Sequence, residues 1–359
     1  MTDVKATSRR RAIMSLHRWL AVFVAPIAVI VSLTGSVLVF EHELTRTLYP
    51  NLVTVKGTGE IASASRILAA AEQAGRVRYF RYPDFPSEPI RAVVSTSGGD
   101  ATVLIDPFNA ALIGPEPGFL FPLLFEIHTN LMLGDAGHMI GGVIGFALAL
   151  CVILGVIVWW PRAGCWKDAL LLRGWRSPPS AFLNIHRVVG IYGALLLTLC
   201  ALTGAAMVFR APLSAIAVGL GGVPFNAAVD RSPAPCRGDI DAMVARTRDL
   251  LPEGRLTYVT PPQWPGDVTR IRVILPGEVH PNGRSFVTFD CRGLVLDREI
   301  APSLPLANQI LDQLVYPLHT GFALGLPGRI AILFAGLTPA ILAVTGITTW
   351  ARRRFRRRT

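Results

Sequence analysis

Four of the seven histidines form two matched pairs. His17 sits in Leu16-His17-Arg18, with Thr34-Gly35 seventeen residues on; His186 sits in Ile185-His186-Arg187, with Thr203-Gly204 at the same spacing. His128 sits in Ile127-His128-Thr129 and His319 in Leu318-His319-Thr320, and glycines follow both, Gly134 and Gly137 or Gly325 and Gly328. Neutral imidazole is a good ligand for iron, and two facing imidazoles can grip one iron from both sides. A haem held that way has no open axial position for oxygen chemistry and mainly shuttles electrons. His17, His186, His128 and His319 are therefore the candidate ligands of two haem irons. Arg18, Arg187 and Arg329 are placed to pair with haem propionates. One isolated histidine would be explained more simply by a hydrogen bond at a membrane interface. Two matched pairs favour ligation.

The other histidines carry weaker signals. His138, ten residues past His128 and matched to Arg329, is an alternative outer ligand. His42 matches Ala211 and reads as interfacial. His280 stands in the turn His280-Pro281-Asn282-Gly283 and is expected to face solvent, where it could touch a substrate. No CxxCH, HExxH or CxxC pattern occurs, so neither covalent c-type haem nor those metal motifs are indicated. No convincing dinucleotide fingerprint follows a strand, so the electron donor is expected to be a separate cytoplasmic reductase or a membrane quinol.

The elements that must hold these residues are membrane helices. The chain has 359 residues, 51% hydrophobic and 16% charged, with mean hydropathy +0.46. Four stretches approach the roughly 20 apolar residues that a bilayer span needs: 19–40, 139–160, 188–209 and 330–350. Arginines crowd their flanks, at Arg9, Arg10, Arg11 and Arg18, at Arg162, Lys167, Arg173, Arg176 and Arg187, and at Arg352, Arg353, Arg354, Arg356, Arg357 and Arg358. Short basic flanks stay cytoplasmic. The expected order is thus a cytoplasmic N-terminus (1–18), a first, uncleaved span (19–40), a periplasmic segment (41–125), a lead-in and second span (126–160), a cytoplasmic loop (161–187), a third span (188–209), a second periplasmic segment (210–315), a lead-in and fourth span (316–350), and a cytoplasmic tail (351–359). The net charge of +11 sits where topology needs it and suits anionic lipid; it does not argue for nucleic acid.

The chain also repeats itself. The second and fourth spans match at an offset of 191 residues, the first and third at 169. Each outside segment reads as one helix followed by a small antiparallel sheet: a helix at 61–74 before Arg76–Phe80, and one at 239–251 before Arg255–Val259. The expected fold is a helical membrane protein of four spans in two pseudo-twofold repeats, with two periplasmic α+β domains. A pseudo-twofold axis would bring His17 to His186 and His128 to His319, one pair at each membrane surface. Glycines after His128 and His319 break the helices there, making both lead-ins surface segments. An oxidising periplasm would allow Cys236 and Cys291 to pair.

The Leu-His-Arg-Trp opening, Leu33-Thr34-Gly35, the stretch from His128 to Gly134 and the closing Trp159-Trp160-Pro161-Arg162 resemble the PepSY-associated transmembrane proteins over nearly the whole chain. The best understood of these resemble bacterial inner-membrane ferrisiderophore reductases of the ferrioxamine-reductase type. That resemblance implies PepSY-like outside domains, two b-type haems in four helices, and reduction of a periplasmic ferric siderophore. The four matched histidines fall on the family's histidine positions; His138 departs from the arginine expected there. An acceptor could dock between the outside domains, with Tyr79, Phe80, Tyr82 and Trp264 as candidate lining. Two other classes compete: a PepSY-type regulatory or binding protein without redox activity, and a siderophore or metal transporter. Four spans with little intramembrane charge make a poor aqueous path.

Overall fold

The long apolar runs are helical, as their composition requires in a medium where every backbone amide must be satisfied internally. The computed structural model describes residues 2–51, 53–57, 59–116, 118–172, 178–224, 238–264 and 266–355. Among these, four helices are long and apolar enough to cross a membrane: Ser8–Leu38, Gly134–Trp159, Ser180–Val208 and Phe322–Arg352. The chain is a multi-pass helical membrane protein. Arg173, Arg176, Arg356, Arg357 and Arg358 lie outside the described residues.

In chain order the helices are α1 (Thr2–Leu38), α2 (Glu41–Leu48), α3 (Ala64–Glu72), α4 (Leu120–Asn130), α5 (Gly134–Trp159), α6 (Trp166–Leu170), α7 (Pro178–Val208), α8 (Arg210–Gly219), α9 (Ile240–Leu250), α10 (Leu306–Asn308), α11 (Val315–Thr320) and α12 (Gly325–Phe355). The strands are β1 (Arg76–Arg81), β2 (Ile90–Thr96), β3 (Gly99–Ile105), β4 (Leu112–Pro115), β5 (Arg255–Thr260), β6 (Thr269–Ile274), β7 (Ser285–Phe289) and β8 (Val295–Glu299). They divide into two units, one of Met1–Phe40, Leu120–Arg210 and Val315–Thr359, the other of Glu41–Phe119 and Ala211–Leu314.

In the first unit the long helices form a ring, α1 on α5, α5 on α7, α7 on α12 and α12 on α1. Small residues permit the close approach: the Ser36 hydroxyl of α1 donates to Leu333 O of α12 at 3.3 Å, against Gly336. The helices begin earlier than the apolar runs suggest. The first and third long helices start at Thr2 and Pro178, so His17 and His186 stand inside helices and not at their mouths. The breaks after His128 and His319 are real. Leu131, Met132 and Gly134 have φ of 51°, 60° and 58° between α4 and α5, and Gly321 and Gly325 have φ of 82° and 59° between α11 and α12.

In the second unit, the expectation of two separate sheets is corrected. Each segment supplies the expected helix and strands, but all eight strands form one antiparallel sheet, in the order β4-β3-β2-β1-β5-β6-β7-β8. The join is β1 on β5, with Phe80 opposite Val259 and Arg81 opposite Tyr258. Two four-stranded sheets would each leave an inner strand with unpaired amides, and pairing the two removes both edges. Irregularities match across the join, between Val77 and Tyr79 in β1 and between Leu256 and Tyr258 in β5.

Helices α3 and α9 cover one face of this sheet. Ile67, Ala71, Met243 and Val244 pack there on Phe80, Ile90, Val94, Val259, Ile271 and Phe289. Asp239 caps α9, accepting from the amides of Asp241 and Ala242. Asp241 accepts from both the amide and the hydroxyl of Ser65, tying α9 to the start of α3. Cys291 is disulfide-bonded, while Cys151, Cys165 and Cys200 are free thiols. Its expected partner, Cys236, lies outside the described residues.

Candidate functional site

The first unit brings each matched pair of histidines together. The rings of His17 and His186 face one another with centroids 6.5 Å apart at 75°. Those of His128 and His319 are 6.1 Å apart at 49°. The His17 ring lies near the carboxyl end of α5, and the His186 ring near that of α12. His128 and His319 sit beside the carboxyl ends of α1 and α7. The two pairs therefore occupy opposite ends of the helix ring. Along α1, His17 and Val31 (the backbone contact of His128) are fourteen residues apart, about 21 Å at the rise of an α-helix.

One local device holds all four rings. Each Nδ1 faces the carbonyl of a long helix: His17 to Cys151 O at 2.9 Å, His128 to Val31 O at 2.8 Å, His186 to Leu342 O at 3.1 Å and His319 to Cys200 O at 3.0 Å. A carbonyl can only accept, so Nδ1 carries the proton and donates. That leaves the Nε2 lone pair as the donor atom of each neutral ring. Four residues after each carbonyl stands a glycine, and the ring lies over it. A Cβ on Gly35 would come within 2.5 Å of the His128 ring; on Gly155 and Gly204, within 3.0 Å of His17 and His319; on Gly346, within 3.1 Å of His186. Glycine is thus the side chain that leaves room for the imidazole.

This geometry fits a metal gripped from two sides. Bonds of about 2 Å from a metal to each of two imidazoles place the ring centres about 6 Å apart, close to both observed separations. The hydrogen bond from Nδ1–H is the outer contact that orients metal-bound histidine and raises its basicity. Among the described residues no group of three or more His, Cys, Asp or Glu side chains is arranged to hold an ion. The donors come in twos, and two axial nitrogens suit a metal that brings its own equatorial ring.

The remaining candidates divide. Arg18 is exposed and Arg187 half-buried, each next to its histidine. Arg329 donates from Nε and Nη2 to Val39 O at 3.2 and 2.7 Å, with the Phe40 and Phe322 rings at 4.6 and 4.9 Å. It closes the end of α1, satisfying one of its terminal carbonyls. His138 Nδ1 also faces a carbonyl, Thr129 O at 3.3 Å, but the ring that meets His319 is that of His128. His42 Nε2 lies 2.9 Å from Glu88 Oε1, in the second unit. His280 is buried, correcting the expectation that it faces solvent; its Nδ1 accepts from the Asn282 amide at 3.2 Å, closing the turn. Phe80 and Tyr82 are buried and cannot line a docking cleft, whereas Tyr79 and Trp264 are exposed.

The four carbonyls could not be read from the sequence, because any residue supplies one. The glycines could: each stands one repeat offset from its counterpart and close to a helix end. A family model described as "PepSY-associated TM region" matches residues 14–353. No curated relative matches the chain.

Proposed function

The chain belongs to the PepSY-associated TM family, and from that premise we propose that it is a transmembrane di-haem oxidoreductase, carrying electrons from the cytoplasmic side to a periplasmic ferric siderophore. The observation that carries this reading is the pair of facing imidazole sets, each with Nδ1 tied to a helix carbonyl and ring centres 6.5 and 6.1 Å apart. His17 and His186 would hold one b-type haem, and His128 and His319 a second. Held by these imidazole pairs, the group would supply one-electron chemistry. Arg18 and Arg187 adjoin the first pair and would meet propionates; Arg329 would present its Val39-bound guanidinium near the second.

The reading extends to topology. Basic flanks put both termini and the loop between the second and third spans in the cytoplasm, so His17 and His186 lie on the side of the electron donor, a separate reductase or quinol. The α+β unit, with its two matched halves, is then periplasmic, on the inner-membrane face where a bulky chelate arrives. Ferrous iron binds hard oxygen chelators far less tightly than ferric iron, so one electron releases the metal. The two repeats would be related by a pseudo-twofold axis normal to the membrane.

A pyridine haemochromogen assay on the purified chain, with haem counted per polypeptide, tests this. Two b-type haems are expected, oxidised when a ferric hydroxamate is added to the reduced protein. Pure, folded protein without Soret absorption would favour the regulatory or transport reading.

A further inference from the structure

The cradle of each imidazole holds a second acceptor, and it is not the same in all four. The residue just before each cradle glycine is Thr34, Thr203 or Thr345, but Leu154 before Gly155. Thr203 Oγ1 lies 3.1 Å from His319 Nδ1, Thr345 Oγ1 lies 3.1 Å from His186 Nδ1, and Thr34 Oγ1 lies 3.5 Å from His128 Nδ1. Each hydroxyl proton is already used within its own helix. Thr203 donates to Leu199 O at 2.6 Å, Thr345 to Ile341 O at 2.7 Å and Thr34 to Ile30 O at 2.9 Å. The hydroxyl oxygen can therefore only accept from Nδ1–H, which is shared between it and the carbonyl. At His17 the hydroxyl is missing: Leu154 is buried, and the nearest further acceptor is the Cys151 sulfur at 3.5 Å, a weak one.

We propose that Thr203 and Thr345 are positioning residues that set the reduction potentials of the two centres, one each, and that Leu154 leaves His17 the least polarised of the four ligands. The proposal rests on the reading that both pairs ligate haem iron. Accepting from Nδ1–H pushes electron density toward Nε2 and makes the imidazole a stronger donor. A stronger donor favours ferric over ferrous iron, so each threonine acceptor lowers the potential of its own centre. The His128–His319 pair has a hydroxyl behind both rings and the His17–His186 pair behind one.

Potentiometric titration of the full chain in detergent, followed by haem absorbance, tests this. Each centre is read alone in a His17→Ala or His128→Ala background. Thr203→Val is expected to raise the midpoint of the His128–His319 centre only, and Thr345→Val that of the His17–His186 centre only. Each shift should be at least about threefold in the equilibrium, roughly 28 mV at 59 mV per tenfold for one electron. Thr→Ser at either site should keep the wild-type midpoint, and Leu154→Thr should lower that of the His17–His186 centre. If a valine variant loses its haem, Leu154→Thr and the serine variants decide. Full haem content with unmoved midpoints, or both valines shifting the same centre, overturns the proposal while leaving the di-haem reading standing. A wild-type chain without haem overturns both.

Discussion

Gly35 and His128 are in such close contact that a methyl group on the glycine would fall 2.5 Å from ring carbon Cε1. The same relation recurs, slightly looser, at the other three rings. Alanine is the better helix former by up to about 1 kcal/mol, but its methyl would meet the packed His128 ring, and overpacking of that kind costs typically about 1–3 kcal/mol, so Gly35→Ala should expel the imidazole and lower the apoprotein's thermal stability modestly. The expected result is loss of most of one haem, that of the His128–His319 pair. Gly346→Ala, where the approach is 3.1 Å, should lose less. Haem per chain, measured beside the melting temperature, checks both signs together. Full haem retention in Gly35→Ala would show that the ring does not need this cradle.

The pairing makes a second prediction, about non-additivity. On the proposed reading His128 and His319 hold one haem, so His128→Ala, His319→Ala and the double variant should each leave one haem per chain. His17→Ala and His186→Ala should remove the other. A His128→Ala/His17→Ala double should be colourless. Residues acting as one unit are not additive, and any combination that breaks this pattern would reassign the ligands. His138→Ala should leave both haems, because the ring that faces His319 is that of His128.

Much of this arrangement was legible beforehand, for a physical reason. Membrane spans advertise themselves by length and apolarity, and residue patterns that recur at a fixed offset draw attention to themselves. His17, His186, His128 and His319 stood out because their surrounding motifs recur at offsets of 169 and 191 residues. Where the helices begin was less legible: Arg9–Arg11 and Arg18 end the apolar run, yet α1 continues through them, because basic residues are compatible with a helix that runs on past the apolar layer. The joined sheet was hidden for another reason. Whether β1 meets β5 depends on which edges are left unpaired, and no local pattern in either strand states that. His280 was misjudged because a turn residue was equated with an exposed one; here its ring is spent on the turn's own amide.

In the α+β unit, Glu88 provides a pH-dependent prediction. Burial alone would raise its carboxyl, but the contact with His42 and the charge of Arg46 outweigh it and hold the pKa below the ordinary 4.5. A carboxyl depressed in the folded state adds stability above its unfolded pKa and loses it as the pH falls through the folded value. Acid unfolding of this unit should therefore include a component below about pH 4.5 that Glu88→Gln removes. At neutral pH the same variant should cost about 1–3 kcal/mol, the usual penalty for stranding a half-buried partner. Denaturant midpoints across pH 3–7 check it; parallel curves for wild type and variant would mean that Glu88 plays no such part.

Tyr79 and Phe80 are neighbours in β1 that point to opposite faces of the sheet, and their contrast is the last test. Phe80 is fully buried beneath α3 and α9, against Tyr82 at 5.6 Å between ring centres. Replacing it by alanine removes a large core side chain and should cost about 3–5 kcal/mol. Tyr79 is 38% exposed and meets Tyr258 edge-on at 5.6 Å. Tyr79→Ala should cost no more than about 1 kcal/mol, the scale of one aromatic pair. If an acceptor docks on that open face, Tyr79→Ala should slow oxidation of the reduced haems by a ferric chelate without altering haem content, whereas Phe80→Ala should do so only by unfolding the unit. Stopped-flow reoxidation read alongside the melting curve separates the two effects, and equal losses of stability in both variants would show that the two faces have been assigned the wrong way round.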